Sequence, residues 1–364
     1  LVPHPLYGSY LILEYLSCYS ETYDRQYLDA ASKVADATID KLDYSKEFDA
    51  YFFKYSEQQG LSYHEGNFIS GLTQARYLNP FYFLYERTQQ NKYLLTSLRF
   101  LNSLKIPKES GGVAINTRFG PFIEEYPSKI PTFVLNGWLT TILELLTYSK
   151  KSMVKEAAIL AEQNLVTLKK LLAKFDDREH ALSRYQLTGF IYLKLTVNKP
   201  TCLKVVSFST EVAGTKYENQ QPPNRWNNFI EDHDLDEFGY SLGSKILLNL
   251  VLSRFDEERE VTLNLDCKEE LKVQISIAYG DYNPLLSAMA TKSWKEVATF
   301  SLKPGQHTRS IILDNSIMPQ LGYQTSFKKE ISGQNFNIYH WMHIKVLEKI
   351  SNFHEASFIK SWAE

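Results

Sequence analysis

Cysteine is scarce in this chain, and so are long apolar runs and an excess of either charge. The three cysteines among 364 residues, Cys18, Cys202 and Cys267, fit neither a disulfide framework nor a metal-binding CxxC pair. We expect free thiols, with Cys202 and Cys267 as the one pair to consider because both lie in strand-like sequence. No run approaches the roughly 18 apolar residues of a membrane-spanning helix. A net charge of -2 gives no overall basic field, so we expect no nucleic-acid partner.

The chain also begins without methionine and without the basic and apolar regions of a secretion signal, at Leu1-Val2-Pro3-His4-Pro5. We expect a trimmed N-terminus, and the sequence leaves the localisation open. A phosphate loop, a GxSxG elbow and an HExxH motif are absent as well. The acidic segment Glu231–Glu237 could gather carboxylates around calcium, but it lacks the glycine of an EF-hand loop. A solvated loop is the favoured interpretation, and we expect neither metal nor cofactor.

Aromatic side chains, by contrast, are abundant, with 24 Tyr and 21 Phe in the chain. Sugar rings pack their apolar faces on flat aromatic walls, and tyrosine hydroxyls reach sugar oxygens. Most of these residues will fill a core, but the composition leaves room for a carbohydrate ligand.

Apolar residues recur at three- and four-residue spacing from about Leu6 to Leu195, which predicts amphipathic helices. The clearest cases after the first two helices are the segments 73–88, 93–104, 134–148 and 155–175. Paired helices joined by short loops are typical of an (α/α) barrel of helical hairpins. The pattern returns at Ile338 as one last helix, which must dock on another part of the fold.

After Asn198-Lys199-Pro200 the pattern changes to alternating apolar and polar residues between turns, which predicts an antiparallel β-sandwich. The predicted strands are 203–212, 244–255, 261–267, 271–279, 296–302 and 308–313. We therefore expect an α+β multidomain fold. Its catalytic barrel would comprise residues 1–198 completed by 337–364, with an inserted β-sandwich module at 199–336.

The most informative segment is Glu124-Glu125-Tyr126-Pro127 followed by Phe133-Val134-Leu135-Asn136-Gly137. It sets a tyrosine between acids and a proline, just ahead of an amphipathic helix. A rigidly held phenol suits proton transfer to or from carbon, where the base must be aimed. By itself the tyrosine is better explained as a buried side chain hydrogen-bonded to a backbone carbonyl.

Further motifs accompany this segment: Ser70–Ala75, Gly111-Gly112-Val113, and the terminal Tyr339-His340-Trp341-Met342-His343-Ile344 with Phe358-Ile359-Lys360-x-Trp362. Together they resemble the C-terminal catalytic domain of the D-glucuronyl C5-epimerases of heparosan and heparan sulphate. The resemblance covers about two fifths of the chain. It implies an (α/α) barrel with a β-sandwich, here in a bacterial-type arrangement that inserts the β-module before the last helix. Related epimerases dimerise, so it also implies a homodimer.

C5 epimerisation removes a hydrogen next to a carboxylate and returns one to the other face, so two opposed acid–base groups are needed. The resemblance implies that Tyr126 and Tyr339 are these groups. Tyr185 matches a third family tyrosine loosely, and Arg184 beside it could bind the uronate or be a surface arginine. Arg118 is the alternative carboxylate ligand.

The same resemblance implies that Glu125 and Asn136 orient the sugar. Candidates of lower grade for the cleft are Gln74, Arg76, Arg118 and Lys129. His340 and His343 are three residues apart without a third ligand, which makes them structural or substrate-binding rather than metal-binding.

The sequence thus predicts an isomerase that converts D-glucuronate to L-iduronate residues in an anionic, heparosan-like glycosaminoglycan, without a cofactor. A uronic-acid polysaccharide lyase is the first alternative, because it shares the first step and then eliminates the C4 substituent. A non-catalytic glycan-binding protein is the second.

Overall fold

The computed structural model describes residues 4–55, 67–178, 181–200, 202–220, 236–278, 294–319, 328–331, 334–353 and 359–360. Contacts divide the chain into two compact units. The helical unit consists of Leu1–Lys129, Phe133–Ala173 and Tyr339–Glu364, and the β unit of Ile130–Thr132 and Lys174–Ile338. Helices and antiparallel sheets are segregated, so the α+β class is confirmed.

The helices lie close to their predicted positions, with the segment from 73 to 88 split into two. They are α1 (Tyr7–Thr22), α2 (Arg25–Ile39), α3 (Gly71–Arg76), α4 (Leu78–Thr88), α5 (Asn91–Ser103), α6 (Leu135–Ser152), α7 (Lys155–Leu171) and α8 (Ile338–Ser351). Two 3-10 turns add Lys108–Ser110 and Leu172–Phe175.

Helix pairs build the helical unit: α1 packs on α2, α4 on α5, α6 on α7, and α3 against α6. The central helix is α6, whose first two turns from Leu135 to Ile142 are buried on every side. The Trp138 indole donates to Asn164 Oδ1 at 2.8 Å and ties α6 to α7. Burial on every side marks a helix inside the core rather than on its surface.

Short antiparallel pairs connect these helices. They are β1 (Asp43–Ser45) with β2 (Ala50–Phe52), β3 (Lys54–Tyr55) with β4 (Phe68–Ile69), and β5 (Ala114–Thr117) with β6 (Gly120–Ile123).

The β unit contains longer antiparallel strands and two small pairs. Its strands are β7 (Asp176–Asp177), β8 (Leu182–Ser183), β9 (Thr188–Val197), β10 (Leu203–Val212), β11 (Thr215–Gln220), β12 (Lys245–Ser253), β13 (Arg259–Cys267), β14 (Leu271–Ala278), β15 (Trp294–Leu302), β16 (Gly305–Leu313), β17 (Lys328–Ile331) and β18 (Gln334–Asn337). All six strands predicted after residue 200 are confirmed.

Two four-stranded sheets, ordered β11-β10-β13-β16 and β12-β9-β14-β15, share one hydrophobic core. The helical interpretation of residues up to Leu195 is wrong for β9, which pairs with β12 along its whole length. Its residues Ile191, Leu193 and Leu195 are buried at every second position, the period of a strand. The change from helix to sheet therefore comes before residue 188.

All three cysteines are free thiols, as expected, and Cys202 and Cys267 are buried. Most of the acidic segment 231–237 lies outside the described residues, as do Phe358 and Trp362. Among the helices that are described, none is both long and apolar enough to cross a bilayer.

Candidate active site

The β5–β6 hairpin delivers Glu124 and Glu125 to the start of α6. Glu124 is fully buried, and its carboxylate accepts the Phe133 backbone N–H at 3.1 and 3.2 Å. Phe133 has a φ of 56°, in the left-handed region that non-glycine residues rarely occupy. Glu124 therefore stabilises the strained turn before α6, which is a structural role.

Glu125, the next residue, is only 4% exposed. Burial raises its pKa to about 7, while hydrogen bonds from the Tyr126 hydroxyl and the Gly137 N–H act in the opposite direction. Its Oε2 is buried and has no hydrogen-bond partner among the described residues. A carboxyl group that titrates near neutral pH suits general acid–base catalysis.

Two glycines allow the backbone to approach this pair of acids. A Cβ at Gly137, in the first turn of α6, would lie 2.3 Å from Glu125 Oε2. A Cβ at Gly71, where α3 begins, would lie 2.3 Å from the Glu124 carbonyl oxygen. The Gly71 N–H also donates to the Glu125 carbonyl at 3.1 Å. The positive ends of both helices thus lie beside Glu125, where they favour negative charge.

Aromatic rings in contact with one another lie on the Tyr126 side of the same carboxyl group. Phe68 stacks on Tyr55 with ring centres 4.9 Å apart and meets Tyr126 edge-on at 6.0 Å. Burial raises the pKa of Tyr55 to about 12, and the charge of Glu125 adds to that rise. The Tyr55 hydroxyl shares a hydrogen bond with Thr73 at 2.7 Å. The sequence signalled Tyr126 but not Tyr55, because nothing in the pattern around Tyr55 distinguishes it from a core tyrosine.

Asn136 and Arg76 lie on the two helices next to Glu125. Asn136, in the first turn of α6, is buried, and its Oδ1 has no partner within the described residues. Arg76, on α3, forms an ion pair with Glu144 at 2.7 Å and keeps 27% of its side chain exposed. Asn79 donates to the same carboxylate at 2.5 Å. Arg76 is thus held in one position yet retains access to solvent.

Gln74 makes internal contacts instead of facing a cleft. Its Nε2 donates to the Tyr51 carbonyl at 2.8 Å and to Ser103 Oγ at 3.0 Å, and its Oε1 accepts the Phe53 N–H at 3.1 Å. Both amide hydrogens are occupied, so no donor remains for a sugar. The substrate-binding role predicted for Gln74 is therefore replaced by a structural one.

Arg118 lies at the tip of the β5–β6 hairpin, exposed, with its guanidinium 5.0 Å from the Phe119 ring centre. Glu125 follows the other end of β6. Strands rise about 3.3 Å per residue, so roughly 20 Å of chain separates the two residues. The structure does not bring Arg118 to the carboxyl group, contrary to its predicted role as carboxylate ligand.

The terminal motif lies on α8. The positive charge of Lys349, on the same helix, acts on Glu144 of α6, and Lys150 Nζ lies 5.2 Å from the Phe353 ring centre. Tyr339 stands one helical turn before His343 and shares its face.

His343 is 1% exposed, and burial lowers its pKa to about 3, with a smaller effect from His340. It therefore stays neutral at physiological pH, which argues against a role in binding an anionic sugar by charge. His340 and Tyr339 are half-buried. Within the described residues no three His, Cys, Asp or Glu side chains gather as metal ligands would.

Arg184 and Tyr185 belong to the β unit. Arg184 is 4% exposed, forms an ion pair with Asp177 at 2.6 Å and donates to the Pro319 carbonyl at 2.5 Å. It is neither the surface arginine nor the available cation that the sequence suggested, because buried partners already hold its charge. Tyr185 is buried in the same unit, at 6% exposure.

The helical unit thus presents a candidate site, in which a buried carboxyl group lies beside a tyrosine at the start of a helix. Residues 43–200 match the family model described as the D-glucuronyl C5-epimerase C-terminus. The match spans somewhat under half the chain and includes Tyr55, Glu125, Tyr126 and Asn136. It does not extend to α1 or to the terminal motif on α8.

Two individual proteins are also similar to the chain over part of its length. An uncharacterized protein of Methanocaldococcus jannaschii is 30% identical over 109 residues, which are 29% of this chain and 35% of that protein. This chain therefore spans about a third of that relative. A solved structure of a GH76 alpha-mannanase from Bacteroides thetaiotaomicron has 14% identity and a TM-score of 0.34, over 50% of this chain and 48% of that one. So low a score carries no argument about fold or activity.

Proposed function

We propose that this chain is a uronate C5-epimerase that converts D-glucuronate to L-iduronate residues in a heparosan-like polysaccharide. The observation that carries the proposal is the Glu125–Tyr126 pair, in which a carboxyl group with a pKa of about 7 accepts a hydrogen bond from a phenol. The pair lies within the segment that matches the epimerase family model. The reaction needs a base that works near neutral pH on a weakly acidic C–H bond.

A tyrosine alone meets this need poorly, because a phenol with a pKa near ~10 is almost fully protonated at neutral pH. Glu125 removes the difficulty. As the Tyr126 oxygen takes the C5 hydrogen as a proton, the phenol passes its own proton to the Glu125 carboxylate. The C–H electron pair moves into the substrate carboxylate and forms an enediolate. Glu125 is thus the final proton acceptor, and Tyr126 is the group that removes the proton from C5 and passes its own proton on.

The developing negative charge requires donors. Asn136, in the first turn of α6, lies next to Glu125, and a helix N-terminus favours negative charge. We assign its side-chain amide to the substrate carboxylate, because the Gly137 N–H already bonds to Glu125. This role falls on neither Arg118, at the far end of its hairpin, nor Arg184, which is occupied by Asp177.

Tyr339 is the proposed donor on the opposite face of the sugar. The support for this role is the terminal motif on α8, a helix whose Lys349 charge acts on Glu144 of α6. Tyr339 would deliver its proton to C5, after which solvent reprotonates the phenolate and Glu125 loses its proton.

The architecture proposed for the two units follows the same resemblance. We infer that the helical unit is an (α/α) barrel closed by α8, supported by the pairs α1–α2, α4–α5 and α6–α7. We infer that the β unit is an antiparallel β-sandwich, supported by the core its two sheets share. A homodimer remains a prediction.

Proton NMR of heparosan treated with the protein in deuterated water tests the function. The proposal expects deuterium at C5 together with iduronate signals. Signals of an unsaturated uronate would instead identify a lyase, which shares only the first step. Retention of C5 hydrogen despite glycan binding would identify a non-catalytic glycan-binding protein.

A further inference from the structure

Helix α1 exposes aromatic side chains that no part of the proposed mechanism uses. Tyr7 is 62% exposed and Tyr10 is 42% exposed, while Ile12 and Leu16 on the opposite face are buried. Exposed aromatic residues that lie together on one element often mark a binding site. The helix lies outside the family-model match, which begins at residue 43.

A continuous series of rings leads from α1 to the candidate active site. His4 stacks on Tyr7 with ring centres 4.8 Å apart and meets Tyr55 edge-on at 5.4 Å. Tyr55 then stacks on Phe68, and Phe68 reaches Tyr126. The exposed face of α1 is therefore connected by ring contacts to the tyrosine beside Glu125.

A cation lies at the same face. The Arg76 guanidinium is 5.7 Å from the Tyr10 ring centre, and Tyr10 also interacts electrostatically with Tyr55. The ion pair with Glu144 holds Arg76 in place while part of its side chain stays exposed. An aromatic surface next to a held cation complements a sugar that has both an apolar ring face and a carboxylate.

We propose that α1 provides a second sugar subsite, in which Tyr7 and Tyr10 pack on a sugar flanking the reacting uronate and Arg76 pairs with a uronate carboxylate. This subsite rests on the proposed function for the identity of its ligand, an acidic glycan. It would make substrate affinity depend on chain length, because only a longer oligosaccharide reaches from Glu125 to α1.

The test compares Tyr7→Ala and Tyr10→Ala with Leu11→Ala, measured with heparosan oligosaccharides of two lengths. Leu11 is a matched control on the same helix, 43% exposed and without a ring. Alanine is the best helix former, so α1 should stay folded in all three variants, and thermal unfolding checks this. The readouts are binding by calorimetry and C5 deuterium exchange.

We expect each tyrosine variant to weaken binding of the long oligosaccharide about tenfold, a change of about 1.4 kcal/mol, with kcat nearly unchanged. The affinity for the short oligosaccharide should be the same in both tyrosine variants as in wild type. The Leu11→Ala variant should bind both lengths with wild-type affinity. Equal affinity in wild type and both tyrosine variants, or equal losses in Leu11→Ala, would overturn the subsite. If the wild type binds but exchanges no C5 hydrogen, and the tyrosine variants still lose affinity, the epimerase proposal fails and the subsite stands.

Discussion

The helical unit and the β unit both bury charged side chains, but the partners that surround the charge differ between the two units. In the β unit, Arg184 meets Asp177 at 2.6 Å, and Arg259 donates to the carbonyls of Ile317 and Asp314. In the helical unit, burial raises the pKa of Glu125 to about 7. A buried charge with a counter-charge holds structure, whereas one that titrates near neutral pH is available to move protons.

The helical unit by itself contains both kinds of buried acid, those held by structural partners and one whose pKa lies near neutral. Glu144 is buried with the Arg76 guanidinium at 2.7 Å, and Glu124 accepts the Phe133 N–H. Among the described groups that set the pKa of Glu125 there is no cation, only the Tyr126 hydroxyl and the Gly137 N–H. Burial by itself therefore does not distinguish the proposed functional acid from the others, whereas the absence of a cation among these groups does.

The largest expected effect is that of Glu125→Gln on catalysis. The amide keeps the shape of the side chain but cannot accept the proton relayed by Tyr126, so C5 exchange should fall about a hundred- to ten-thousandfold. In the wild type, kcat/KM should rise as pH passes through about 7, where Glu125 ionises, and the variant should lose this rise. Wild-type exchange in the variant would remove Glu125 from the mechanism.

The same substitution has a consequence for stability. The folded pKa of Glu125 is raised to about 7 from 4.5, so its stabilising contribution is complete below about pH 4.5 and is lost as pH rises through 7. This loss is on the order of 3 kcal/mol. Urea denaturation at several pH values should show a smaller fall in the free energy of unfolding for Glu125→Gln than for wild type.

Removal of Arg184 tests the opposite kind of charge. Arg184→Ala leaves Asp177 buried without its cation, which should cost about 3–5 kcal/mol of stability. The double variant Arg184→Met, Asp177→Leu should recover much of this loss. Urea denaturation measures both. If Arg184→Ala kept its stability and lost C5 exchange, Arg184 would bind the substrate after all.

Gly137→Ala tests the position of the Glu125 carboxyl group. The added Cβ would lie 2.3 Å from Oε2 and must displace it, so we expect exchange to fall about tenfold or more. Stability should fall by about 1–3 kcal/mol, because the added Cβ would also lie 2.8 Å from Glu125 Cβ and overpack a buried site. Gly243→Ala is the matched control, since its added Cβ meets only a backbone nitrogen at 3.9 Å. Full activity in Gly137→Ala would contradict the proposed geometry.

The smallest effect is expected for Glu124→Gln, the neighbouring acid. Its amide oxygen still accepts the Phe133 N–H, and the loss of charge should cost about 1 kcal/mol of stability. Exchange should stay close to wild type. Glu124 and Glu125 are adjacent and both buried. If both variants lost the same amount of C5 exchange, the proposal that only Glu125 acts in catalysis would be wrong.

The fold was predictable where the pattern is local. The long helices and strands from Asn91 onward follow apolar spacing closely, except β9, whose short alternating run Ile191–Val197 continues the preceding helical pattern. The short strands β7, β8, β11, β17 and β18 were not predicted. Glu125 was predicted only to orient the sugar. Its raised pKa comes from burial in the folded chain, which the hydrogen bonds from Tyr126 and Gly137 only partly oppose, so no local pattern could reveal it.

The central claim is that Glu125 is a buried carboxyl group available for proton transfer near neutral pH. The most direct test is a carbon-13 NMR titration of the Glu125 carboxyl carbon in the wild-type protein, assigned with Glu125→Gln. A midpoint of about 7 is the expected result. A midpoint near the ordinary value of 4.5 would mean that Glu125 is solvated, and it would contradict the mechanism built on it.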